Sequence, residues 1–209
     1  MKTRNDVIDR VRRALGRTSP PPVPPAIDEP IVRLVHSEIG LPELFAKIAR
    51  DNGMIVDMVN VEELGPRLIK FLRGQGAKAI AFPHSRLLTQ LDVVALLTTE
   101  GFHARIWDSI SLDELYDFDC GITDVWAAVA EVGAMVVRGS RENGLSLSLI
   151  PPIHVAILEP KNFLPDLVDL FEKIPADQND NFVLITGPGK PPDIGSNHGP
   201  GIVQVFILQ

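Results

Sequence analysis

Apolar positions recur along this chain with two periods, and the exchange between them outlines its architecture. Val7, Val11 and Leu15 stand at i, i+4 and i+8 with Ile8 beside them, which predicts an amphipathic helix over residues 3–15. From Leu41 onward helical and strand patterns alternate. Leu41, Leu44, Phe45 and Ile48 form a helical face, and a strand follows over 54–59. Leu64, Leu68 and Leu72 mark a helix ending near Arg73, whose start is blurred because Pro66 suits a first turn and not an interior. A buried strand is predicted over 77–83, a helical face over Leu87–Ala95, and a strand over 102–107. Ser111 and Glu114 have the spacing of a capping box and open a short helix. Later strands are predicted over 153–160, 181–187 and from Ile202 to the end. Between the first two lies a helix around Leu167–Ile174, with Pro165 in its first turn.

The stretch from Gly121 to Gly139, GITDVWAAVAEVGAMVVRG, is the centre of this pattern. It reads as a strand end, a turn, an Ala-rich helix ending at Glu131 with Gly133 just past it, and a second strand. Thr123 and Asp124 would accept hydrogen bonds from N–H groups at that helix start. The LSLSL segment, residues 145–149, alternates like a strand, so Ser146 and Ser148 are expected to fill strand positions, with a phosphate or carboxylate contact as the lesser reading.

Strands with continuous apolar runs, alternating with helices, predict an α/β fold: a mostly parallel sheet with helices on both faces. The passage from Gly133 to Leu158 has no long helix, so some antiparallel strands are expected there. Ligands of open α/β sheets sit beyond the C-terminal ends of parallel strands. That rule groups His84, residues 121–124 and the loop from Thr186 onward, with Thr123 expected to face the Thr186–Lys190 loop across one cleft.

Composition changes the picture in what it excludes. The 209 residues are 45% hydrophobic and 22% charged, enough for a sizeable core without disulfides or metal. The net charge is -7 and no block of Lys and Arg stands alone, so no surface for neutralising nucleic-acid phosphates is expected. A single cysteine, Cys120, supplies no internal disulfide, no iron–sulfur cluster in this chain and no cysteine-rich zinc site. The charged N-terminus lacks the apolar core of a signal peptide, and the apolar run 125–137 is too short and too interrupted to cross a bilayer. A cytoplasmic protein is expected, with no membrane partner. Six prolines between Ser19 and Pro30 read as a semi-rigid spacer or as a segment lying along the surface. The expected organisation is an N-terminal helical arm and spacer over 1–30 and an α/β domain over 31–209.

Candidate chemistry lies in three places. Glu131 reads as a general base or covalent nucleophile, as a contact for a ligand hydroxyl, or as a helix-end carboxylate. The loop ITGPGKPPDIGSNHGPG, residues 185–201, runs from a strand into glycine and proline. Thr186, Gly187, Gly189, Lys190, Asp193 and His198 there could form an anion-binding nest, or the loop is a surface turn. Pro192 breaks the dinucleotide fingerprint and Pro191 breaks the P-loop. Of the five histidines, none pair at i, i+3 or i, i+4, so no metal motif is present. His84 and His198 sit in strand-end loops and suit acid–base or anion work, whereas His103 and His154 suit core or edge positions of strands.

These segments together resemble the LUD-domain proteins of the lactate utilization protein C (LutC/YkgG) type. DVIDRVRRALGR with its proline-rich follower is similar to the family's start. GITDVWAAVAEVGAMVV is similar to its G-[VI]-T…A-A-[IV]-A-E-T-G segment, LSLIPPIHVAIL to its serine–leucine–proline strand, and ITGPG…DI…HGP to its terminal signature. Matching positions are Thr123, Glu131, Gly133, Pro151, His154, Thr186, Gly187, Pro188, Asp193, His198, Gly199 and Pro200. Val132 stands where the family usually has Thr, and the segment between Asp193 and His198 is shorter and acid-poor.

The resemblance implies a NagB/RpiA/CoA-transferase-like fold and a part in oxidising L-lactate to pyruvate, beside partner proteins that carry the iron–sulfur clusters. On that reading Glu131 is the catalytic candidate, and Thr123, Asp124, His84, Thr186, Gly187, Gly189, Lys190, Asp193 and His198 bind a small-molecule ligand; no cofactor is specified for this chain. Two other readings stand beside it: an independent sugar-phosphate- or CoA-binding enzyme of the same fold, and a non-catalytic assembly subunit that docks through its N-terminal arm.

Overall fold

A computed structural model describes residues 4–16, 33–35, 40–139, 144–174, 180–189 and 199–209. The chain divides into two units, residues 1–32 and residues 33–209. In the first, helix α1 spans Arg4–Ala14; its Val7, Ile8 and Val11, and Leu15 just past it, are exposed. The proline run lies outside the described residues.

The second unit is built on a six-stranded, all-parallel sheet. Its strands are β1 (Ile55–Val59), β2 (Ala79–Phe82), β3 (His103–Ile106), β4 (Cys120–Asp124), β7 (Ile153–Leu158) and β10 (Ile202–Leu208), ordered β1-β10-β7-β4-β2-β3. A smaller sheet is ordered β8-β5-β6-β9, from β5 (Ala127–Val129), β6 (Ala134–Gly139), β8 (Phe163–Leu164) and β9 (Asn181–Ile185). There β6 runs antiparallel to both β5 and β9. The α/β architecture and the antiparallel pairing beyond Gly133 therefore agree with the sequence pattern.

Both faces of the large sheet are buried. One carries α3 (Val61–Gly74), α4 (Arg86–Gln90) and α5 (Val93–Thr99), packed on Ile80, Ile122, Val155, Ile157 and Phe206. The other carries α2 (Leu41–Asp51) and the small sheet, packed on Val56, Ala156, Leu158, Val203, Val205 and Ile207. Residues that alternate along one strand thus go to two cores, which is why the strands read as unbroken apolar runs.

Five local expectations change. The Ala-rich segment after Asp124 is not a helix but the hairpin β5–β6. Ala128, Ala130 and Met135 face one core, while Ala127, Val129, Ala134 and Val136 face another beneath Leu170 of α7 (Leu167–Lys173). A strand buried on both sides has no polar alternation, so its periodicity cannot be told from that of a buried helix.

Residues 145–148 form a 3₁₀ turn rather than a strand. Close packing dictates this: a Cβ on Gly121 would lie 1.9 Å from the Leu147 carbonyl oxygen, so the turn sits directly on the backbone of β4. The helical face over 87–95 is two helices, broken at Asp92, a non-glycine residue with φ 51°. Pro66 lies inside α3, and Pro165 precedes α7, whose N-cap is Asp166, with its carboxylate accepting from the Asp169 N–H. The Ser111–Glu114 capping box is present at α6 (Leu112–Leu115), with both reciprocal hydrogen bonds.

Candidate functional site

The connections of the large sheet locate its crevice. The chain leaving β2 passes through α4 and α5 to β3, on one side of β2. The chain leaving β4 passes through the small sheet to β7, on the other side of β4. Neighbouring strands whose connections depart in opposite directions make a topological switch point, where open α/β sheets bind ligands. The ladder between β2 and β4 pairs Ile80 with Cys120 and Ala81 with Gly121. Beyond it lie Pro83, His84 and Ser85 on one side and Thr123 and Asp124 on the other.

Asp124 is the distinctive group of this crevice. Its Oδ1 is buried with no hydrogen-bond partner among the described residues. Burial pushes its carboxyl above the ordinary carboxylate range; its own backbone N–H and the Ser85 hydroxyl pull it back, and the Glu159 carboxylate adds to the push. Ser85 is itself buried and caps α4, accepting from the Leu88 N–H at 3.2 Å. It thus joins the carboxylate to a cleft of about 490 Å³ between β2, β3 and the two short helices. At the rim His84 Nε2 lies 3.0 Å from the Asp108 carboxylate, with both side chains about half exposed.

Behind the crevice Thr123 Oγ1 and His154 Nε2 are 2.8 Å apart, and both residues are buried. His154 stands opposite Gly121 on β7, under the turn 145–148. Its Nδ1 has no partner among the described residues. Burial lowers its pKa to about 4, so the ring is neutral and the Thr123 hydroxyl orients it.

The grouped residues divide between two ends of the molecule. His84, Thr123 and Asp124 share the C-terminal edge. Glu131, Thr186, Gly187 and Gly189 lie at the opposite edge, so Thr123 does not face the Thr186 loop across one cleft. The β5–β6 turn packs on the end of α2, where a Cβ on Gly133 would lie 2.7 Å from the Ala49 nitrogen. Asn52, just past α2, donates to the Val132 carbonyl at 2.9 Å, and its own carbonyl would lie 2.6 Å from a Cβ on Gly187. The Gly189 N–H bonds the Pro200 carbonyl, just before β10. All of this surrounds the starts of β1 and β10, not their ends. Glu131 occupies that turn with its N–H bonded to the Pro165 carbonyl. Lys190, Asp193 and His198 lie outside the described residues.

Ser85, Asp108 and Glu159 belong to the C-terminal edge but went unnoticed in the sequence. The available signal was positional: Asp108 directly follows a predicted strand, Ser85 stands two residues past one, and Glu159 is the next-to-last residue of one. Among the described residues no three His, Cys, Asp or Glu side chains are grouped to hold a metal ion. Cys120 is fully buried, and burial pushes its thiol up, so it is poorly suited to act as a thiolate ligand. No described helix is long and apolar enough to cross a membrane.

Comparison with known proteins covers most of the α/β unit. Residues 32–208 match the LUD domain. A lactate utilization protein C from Oceanobacillus iheyensis is 28% identical over 101 residues, 43% of this chain and 43% of the relative. An uncharacterized protein from Neisseria meningitidis is 26% identical over 147 residues, 65% of this chain and 63% of the relative. The match therefore spans less than two thirds of either curated relative. The crystal structure of a DUF162 family protein from Deinococcus radiodurans is similar with a TM-score of 0.61 and 20% identity, covering 83% of this chain and 99% of that one. That likeness bears on the fold alone.

Proposed function

This chain belongs to the LUD-domain family, and from that premise we propose that it is a subunit of a lactate-utilization system that binds a small molecule in the crevice between β2 and β4. The observation that carries the binding role is Asp124: a buried carboxylate oxygen without a hydrogen-bond partner among the described residues, at the switch point of a parallel sheet. The link to lactate rests on the relative named lactate utilization protein C. The electron transfer that oxidises lactate to pyruvate falls to partner proteins carrying iron–sulfur clusters, since the one thiol here is buried and raised. This chain supplies binding and positioning.

Deleting the gene and comparing growth on L-lactate with growth on glucose tests this reading. Growth on lactate is expected to fail and growth on glucose to persist. Unchanged growth on lactate in a strain without a second copy refutes it.

A further inference from the structure

Helix α1 leaves its apolar side uncovered. Val7, Ile8 and Val11, with Leu15 just past the helix, are 37–61% exposed. The Leu15 N–H still bonds the Val11 carbonyl at 3.0 Å, so Leu15 continues the helical turn. At about 100° per residue these four residues and Ala14 share one stripe, about 120° wide. A stripe of that width is suited to lie against an apolar surface.

The charges around the stripe are sorted. Arg10 borders it on one side and Arg12 on the other, each about 40° beyond its edge, while Asp9 and Arg13 lie on the far side. There the Asp9 carboxylate is 3.6 Å from Arg12, and the Asp9 carbonyl accepts from Arg13 Nε at 3.3 Å. Residues 1–17 hold six Lys and Arg against two Asp, a net +4 in a chain whose total is -7, so the other residues carry -11.

This arrangement disfavours two occupants. A second copy of α1 would set arginine against arginine along both flanks, where paired helices place opposite charges. A protein groove is gripped chiefly by buried Trp and Tyr anchors, and residues 1–17 contain no aromatic residue. An aliphatic stripe between two basic borders fits instead a surface of no fixed shape, with apolar depth beneath a layer of negative charge. Such helices lie in the plane of an anionic bilayer, with their cationic side chains reaching back to the headgroups. Eleven residues span about 17 Å, too short to cross a hydrocarbon core of about 30 Å.

We propose that α1 is a reversible membrane-surface anchor, binding bilayers of anionic phospholipid through Val7, Ile8, Val11 and Leu15, with Arg10 and Arg12 at the phosphates. The sequence expectation of no membrane partner concerned crossing segments and signal peptides, and a surface helix is neither. The acidic remainder of the chain is repelled by the same surface, which keeps the attachment weak and reversible. Neither the crevice nor lactate enters this role.

Co-sedimentation of the full chain with vesicles of equal parts phosphatidylglycerol and phosphatidylcholine, and with vesicles of phosphatidylcholine alone, tests the proposal. Binding to the mixed vesicles is expected at about 1 mM lipid and at least about 10-fold more strongly than to the neutral ones. It is expected to weaken at least about 5-fold as salt rises from about 0.1 M to about 0.5 M. Val11→Asp, at an exposed position where folding is not at stake, is expected to weaken binding about 10-fold. Arg10→Glu and Arg13→Glu make the same change of charge on opposite sides of the helix. The first is expected to weaken binding about 10-fold and the second by less than about 3-fold. Absence of binding to the mixed vesicles at about 1 mM lipid overturns the proposal and returns the stripe to an acidic protein groove. Equal binding to neutral vesicles, unchanged binding by Val11→Asp, or equal losses in the two arginine variants overturns it as well.

Discussion

The two ends of the large sheet carry turns of opposite finish. At the starts of β1 and β10 the backbone groups are closed on one another. Asn52 bonds Val132, Glu131 bonds Pro165 through its N–H, Gly189 bonds Pro200, and Gly133 and Gly187 admit backbone where a side chain would collide. At the ends of β2 and β4 polar atoms are left over. Asp124 Oδ1, one hydrogen bond behind the cleft residue Ser85, and His154 Nδ1, on the opposite face of the sheet, are buried without hydrogen-bond partners among the described residues. Leaving such groups unpaired costs free energy that a fold under selection for stability alone would recover. Asp166 Oδ2, next to Pro165 at the packed joint, is also buried without a hydrogen-bond partner among the described residues, but Arg33 Nε lies 3.6 Å from it and meets its charge. The difference between the two ends separates a packed joint from a site built to meet something else.

Three perturbations bear on that contrast, from the largest effect to the smallest. Gly133→Ala strikes the packed joint. The residue has φ 62°, and the new Cβ would lie within 3 Å of two backbone atoms of α2. A loss of about 3 kcal/mol or more is expected in urea unfolding, and a change below about 1 kcal/mol would show the joint to be looser than described.

His154, buried behind the crevice, gives a pH signature to the sheet interior. Its folded pKa of about 4 lies below its ordinary 6.5, so below pH 6.5 the unfolded chain takes up a proton that the folded one refuses. Stability is therefore lost as pH falls from about 6.5 to about 4, by roughly 3 kcal/mol across the window. His154→Gln keeps a side chain able to bond Thr123 and is expected to flatten this slope. Equal slopes in the two proteins between pH 6.5 and 4.5 would contradict a buried neutral ring.

Asp124→Asn is the smallest and has the opposite sign. A carboxyl whose folded pKa is raised binds its proton more readily folded than unfolded, so ionisation opposes folding above the ordinary carboxylate range. The amide removes that cost. A rise in Tm of about 2–4 °C is expected at pH 7, vanishing near pH 3. A variant more stable than its parent would have the trade expected of a functional group. A lower Tm at pH 7 would mean that Asp124 is a structural carboxylate like Asp166, which caps α7 and pairs with Arg33.

The alternation of elements, the parallel sheet and the small size of residues 127–130 were legible in the residues themselves. So were the capping box at Ser111 and the placement of His154 on a strand, though not whether at its core or its edge. Apolar periodicity and side-chain volume are local properties, and they determined which segments must be buried. They did not determine that the Ala-rich segment is a strand, because a strand buried on both faces has the same composition as a buried helix. Nor did they divide the chemistry between the two ends. Asp124 and Glu131 are seven residues apart in the chain, yet β5 carries the chain from one edge of the molecule to the other. Which carboxylate enters the switch point depends on the strand order β7-β4-β2 and on the opposite departures of the connections. Only the tertiary structure decides those, because strand order is set by packing between segments far apart in sequence.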